Sequence, residues 1–137
     1  MSQEELNAVV EESHYFGKPV TCHCFTPESQ RMAIRAGVDT LEHAVFTDDE
    51  ALAMIVGEGK PVIPTLAHRT DRALDARRRG GTPEFTLKKM KKLQPYTKET
   101  FQRMHQAGSS LPWAPTPSWI PRWAPRQWSW RFMSTTA

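Results

Sequence analysis

The chain has 137 residues and 39% hydrophobic content, enough for one domain of ordinary size with its own core. Its formal charge of +3, with acids mixed among the bases through most of the chain, gives no ground for a nucleic-acid partner. Met1 opens no cationic, apolar leader, and no stretch approaches the ~20 apolar residues that span a bilayer. The expectation is a cytoplasmic protein without a membrane partner. Cys22 and Cys24 stand one residue apart, too close to bridge comfortably in an extended segment, so no disulfide framework is expected.

Ser2 and Glu5 have the spacing of a capping box, and Leu6, Val9 and Val10 repeat at helical intervals; Gly17 and Pro19 then stop the helix. A short run of β-formers, PVTCHCF, follows. Thr26 as cap and Pro27 at the first helical position open a second helix, which ends at Gly37. VDTLEHAVF reads as a second strand, Thr47 and Glu50 as the capping box of a third helix, and PVIPTL as a third strand. Helices between successive strands demand crossover connections, so the sheet is expected to be parallel. Beyond it, Ala73 to Arg79 reads as a weak helix, Thr82 and Pro83 start a surer one through Leu93, and Thr97 starts another that Gly108 closes.

His23 and His43 lie near the carboxyl ends of the first two strands, each shortly before a helix cap, where ligands gather in parallel βα folds. Strands ~4.8 Å apart would let two such rings share one metal ion. A histidine at a strand end also donates to backbone carbonyls, and the spacing alone leans slightly toward that ordinary role. Strand parity points His23 away from Cys22 and Cys24, which read as small apolar residues under helices rather than ligands. His14 and His105 fall in amphipathic helices and read as packing or surface residues. His68 and Arg69, just after the third strand, could contact a substrate but read rather as a solvated loop, and the basic runs RRR and KKMKK as solvated faces.

GKPVTCHC, AGVDTLEHAVFTDDEA and GKPVIPTL, in that order and spacing, resemble the middle of metal-dependent hydrolases of the amidohydrolase superfamily. The likeness is nearest to the branch with imidazolonepropionase-like enzymes and Xaa-Pro dipeptidases. It implies a (β/α)8 barrel of which this chain carries strands five to seven. It further implies a binuclear zinc site around a bridging hydroxide, with His23 and His43 as metal ligands on one ion. The implied substrate is a small molecule or dipeptide cleaved at an amide or other C–N bond. The family's remaining ligands are a His-x-His pair, a carboxylated lysine and a late aspartate. By the resemblance the histidine pair and the lysine lie before this chain and the aspartate is missing from its place in the tail, so activity is not expected of it alone.

Composition breaks at Gly108: every Asp, Glu and Lys precedes it, and all five Trp follow. The organisation expected is a partial amidohydrolase barrel over 1–108 and a Trp/Pro-rich tail over 109–137, disordered or translated out of frame. Where the family has a strand ending in Gly-Thr-Asp, Pro112 to Ser118 hold three prolines, incompatible with a central strand. Codons for Trp113 to Thr116, shifted by two bases, can spell Gly-Thr-Asp, which is what a frameshift near Gly108 would leave. The alternative is a non-catalytic binding or assembly module. In that reading the tail contacts membrane or nucleic acid, and open sheet edges support self-association.

Overall fold

The computed structural model describes residues 1–109. The tail expected over 109–137 therefore lies outside the described residues, Ser109 excepted. Helix α1 (Gln3–Tyr15) is followed by β1 (Thr21–Cys24), α2 (Pro27–Ala36), β2 (Thr40–His43), α3 (Asp49–Gly57) and β3 (Val62–Ile63). A 3-10 turn over Leu66–Arg69 leads to α4 (Asp71–Arg79) and α5 (Glu84–Gln106). The three strands form a parallel sheet in the order β1-β2-β3.

Local signals set most boundaries. Ser2 and Glu5 form the reciprocal capping box of α1. Thr26 accepts from the Ser29 backbone N–H to start α2, which ends at Gly37 in the left-handed conformation, φ +86°. Three expectations are corrected. The cap of α3 is Asp48, which accepts from the Ala51 N–H at 2.8 Å, not Thr47. The Thr47 hydroxyl is instead buried, donating to Gln30 Oε1 at 2.9 Å. The segment read as a weak helix is a full one, α4, capped by Thr70. The two helices expected over 83–108 are one: α5 runs through Pro95, and Thr97, read as a cap, returns its hydroxyl to the Leu93 carbonyl. Burial of Leu87, Thr97, Thr100 and Met104 along a single helix offsets the lost backbone bond at the proline.

The core lies between the sheet and α1 to α3, built on Val10, Cys24, Ala33, Ile34, Val38, Leu41, Ile55 and Val62, with Met104 of α5 joining it. Register explains which strand residues enter: Cys22 pairs with Leu41, and Leu41 with Val62, so one parity of each strand faces the helices. Residues of the other parity, Thr21, His23 and Ile63, are exposed on the opposite face. Among the described residues that second face of the sheet is open.

Candidate metal centre

Strand parity alone would separate the two histidines. His23 is in register with Glu42, and His43 with Cys24, whose side chain is fully buried among the helices. A regular strand would therefore send the His43 ring into the core. It does not, because the backbone turns there: φ is +73° at His43 and +43° at Ala44. The Ala44 N–H donates both to the Cys24 carbonyl at 2.9 Å and, two residues back, to the Glu42 carbonyl at 3.0 Å. A bond spanning two residues around a positive central φ is the rare, strained form of γ-turn. It rotates the His43 ring onto the open face beside His23.

The rings then meet. His23 Nδ1 and His43 Nε2 are 2.7 Å apart and the ring centroids 4.8 Å. On its other side His43 Nδ1 lies 2.6 Å from Thr65 Oγ1, and His23 Nε2 lies 3.4 Å from Glu42 Oε2. Thr65 also has positive φ, +48°. Among the described residues the non-glycine positions of positive φ are therefore His43, Ala44 and Thr65, all at this one place. Left-handed backbone costs roughly 1–2 kcal/mol per residue, so such clustering marks a position held against local preference.

The surroundings hold the strand end rigid. The loop after β2 is pinned by Gln30 Nε2 donating to the Phe46 carbonyl at 3.3 Å and by Thr100 Oγ1 donating to the Val45 carbonyl at 2.9 Å. Burial pushes the His43 imidazole below its ordinary pKa, with the positive charge of Arg69 adding to the effect. That shift favours the neutral form, in which a ring nitrogen ligates a metal.

His23, Glu42 and His43 form a group that could hold a metal ion, their ligand atoms all lying within 4.8 Å of one another. Two nitrogens on one tetrahedral zinc stand about 3.3 Å apart, given Zn–N bonds of about 2.0–2.1 Å. The facing nitrogens here would need to separate by only about 0.6 Å, a small ring rotation. With His43 donating Nδ1–H to Thr65, its Nε2 lone pair is free, and Glu42 beside Nε2 of His23 can do the same for that ring's Nδ1. The donor set thus fits a single divalent cation. Glu42 was missed in the sequence reading; its signal was a carboxylate inside a run of β-formers, adjacent in sequence to one histidine and opposite the other.

The other singled-out residues lie elsewhere. Cys22 and Cys24 are free thiols on the helix side of the sheet, and burial pushes the Cys24 thiol up. His14 bonds Asp39 at 2.9 Å, tying α1 to the start of β2. His105 is exposed on α5 and stacks on Phe101. His68 is exposed, as expected of a solvated loop, but Arg69 is buried and lies 5.2 Å over the ring of Phe25. Phe25 in turn packs 5.0 Å from His43.

Comparison with solved structures shows what shares this arrangement of elements. A Xaa-Pro dipeptidase with bound methionine in its active site is 30% identical, with a TM-score of 0.71 over 81% of this chain and 27% of that one. A prolidase complexed with N-methylphosphonate-L-proline is 27% identical, TM-score 0.74, over the same shares. An amidohydrolase is 29% identical, TM-score 0.73. The structural neighbours are prolidase- and amidohydrolase-like proteins. They support the amidohydrolase superfamily for this chain. Among curated proteins, uncharacterised proteins of Mycobacterium tuberculosis and Mycobacterium bovis are 32% identical over 65 residues, 47% of this chain and 18% of theirs. No known family profile matches. The chain spans 27% of the length of the solved relatives. No helix of the described residues is long and apolar enough to cross a membrane.

Proposed function

We propose that this chain is part of a metal-dependent amidohydrolase barrel, and that His23 and His43 hold one divalent cation, zinc, at the carboxyl end of its sheet. The observation that carries the reading is the strained turn at His43, which brings its Nε2 to 2.7 Å from His23 Nδ1. The open sheet face also supports it, because parallel sheets are normally covered on both sides. A bound divalent cation would supply Lewis acidity, polarising an amide carbonyl and bringing the pKa of water toward neutrality. The chain's own part is to present two imidazoles from adjacent strands. Thr65 fixes the proton of one, and the Glu42 carboxylate lies 3.4 Å from Nε2 of the other.

The parent reaction is hydrolysis of an amide or other C–N bond, with dipeptides ending in proline as the substrate class suggested by the solved relatives. Two histidines and a carboxylate do not make a binuclear site, so this chain by itself is expected to bind metal and not to turn over dipeptides. Calorimetric zinc titration of the wild type, His23→Ala and His43→Ala tests the assignment. Both variants should lose at least tenfold in affinity; equal affinity in all three proteins would remove the metal site.

A further inference from the structure

The strained backbone at the metal pair belongs to two different loops: His43 and Ala44 end β2, and Thr65 follows β3. One helix holds both. From α5, Thr100 Oγ1 donates to the Val45 carbonyl at 2.9 Å and Arg103 Nη1 to the Thr47 carbonyl at 2.5 Å. Earlier in the same helix, the Gln94 side-chain amide donates to the Arg69 carbonyl, at the far end of the 3-10 turn that Thr65 opens. All three acceptors are main-chain carbonyls, so each bond fixes the course of a loop. Thr100 is 6% exposed and Val45 fully buried, which leaves no water to replace their bond if it is lost. Gln30 of α2 grips the first loop too, at the Phe46 carbonyl; α5 is the element that joins that loop to the second.

Positive φ at non-glycine residues costs free energy locally and persists where neighbouring structure imposes it. If the first loop were released, ordinary extended backbone would carry the His43 ring to the side of Cys24, away from His23. If the second were released, Thr65 Oγ1 would no longer be held 2.6 Å from His43 Nδ1. We infer that α5 is the brace of the metal centre, and that Thr100 and Gln94 are positioning residues that set its zinc affinity through the loop carbonyls of Val45 and Arg69. The inference rests on the metal reading and adds to it a control point on a helix that carries none of the ligands.

The test uses the full chain, with zinc binding followed by calorimetry at a temperature where circular dichroism shows each variant folded, and with 15N NMR of the histidine rings. Thr100→Val keeps the shape and removes the donor. It should lose about tenfold in zinc affinity, the lower end for a group behind a ligand, and its metal-free spectrum should show His43 in mixed tautomers. Thr100→Ser, which keeps the hydroxyl, should bind zinc within about twofold of the wild type. Gln94→Met should also lose about tenfold, and it stands in if Thr100→Val fails to fold. Leu6→Ala is the control: it opens a cavity in the core beneath α1, which makes none of these bonds, and should lower stability while leaving zinc affinity within about twofold. Wild-type zinc affinity in folded Thr100→Val or Gln94→Met, or a loss in Leu6→Ala as large as theirs, would overturn the inference. If zinc affinity still depends on His23 and His43 in that event, the metal assignment stands and only the brace falls. If it does not, the metal assignment falls first.

Discussion

Replacing Thr65 by valine removes one oxygen and little else. Both residues are β-branched and of similar volume, so the backbone strain at φ +48° is the same before and after. What is lost is the partner of His43 Nδ1, now 2.6 Å from the hydroxyl. With metal bound, Nε2 must be bare and Nδ1 must carry the proton, and in the valine variant that N–H points at a methyl group. An unsatisfied donor at this part-buried place costs up to roughly 1–3 kcal/mol. Loss of a partner behind a ligating histidine typically weakens metal binding about 10–100-fold, or about 1.4–2.7 kcal/mol, so two independent routes give one magnitude. Zinc titration should show that loss in Thr65→Val. Thr65→Ser should stay near the wild type because it keeps the hydroxyl, and 15N NMR should report mixed His43 tautomers in the valine variant. An affinity for zinc in folded Thr65→Val within about twofold of wild type would refute the claim that this bond orients the ligand.

Three further outcomes are expected. Asp48→Ala should destabilise the fold by about 0.5–2 kcal/mol in urea unfolding, because it removes the α3 cap and the two bonds from Arg31 at 2.8 and 3.1 Å. In the metal-free protein, the contribution of His43 to stability should be flat above its ordinary pKa of 6.5 and should fall as pH drops below it. The sign follows from its lowered pKa, since the unfolded chain takes up the proton first; the pH slope should shrink in His43→Gln. Pro95→Ala restores a backbone donor inside α5 and should raise stability by roughly 1–3 kcal/mol, and a lower thermal midpoint would mean that α5 depends on its proline.

The order of helices and strands was legible because caps and stops are local chemistry. Ser2, Thr26, Gly17 and Gly37 each act within a few residues, and the structure uses all four. Failures arose where tertiary contacts decide. Thr47 reads as a cap, but Gln30 offers its hydroxyl a buried partner and Asp48 takes over the helix end. Leu93 to Thr97 reads as the junction of two helices, yet a buried stripe from Leu87 to Met104 keeps α5 whole through Pro95.

At the site, the similar places of His23 and His43 at strand ends allow a meeting that only the family resemblance favours, and its means was invisible. Register places His43 opposite Cys24, on the core side, and no glycine at 43 or 44 announces the turn that reverses it. Arg69 reads as part of a solvated loop because sequence pattern cannot see the Phe25 ring beneath it, contributed by the residue just after β1.

The central claim is that His23 Nδ1 and His43 Nε2 grip one cation, and anomalous diffraction at the zinc edge from zinc-soaked crystals of this chain tests it most directly. A peak about 2.0–2.1 Å from both nitrogens, with those nitrogens parted to about 3.3 Å, is the predicted result. Rings that stay in hydrogen-bond contact at the zinc-free distance, with no peak between them, would contradict it.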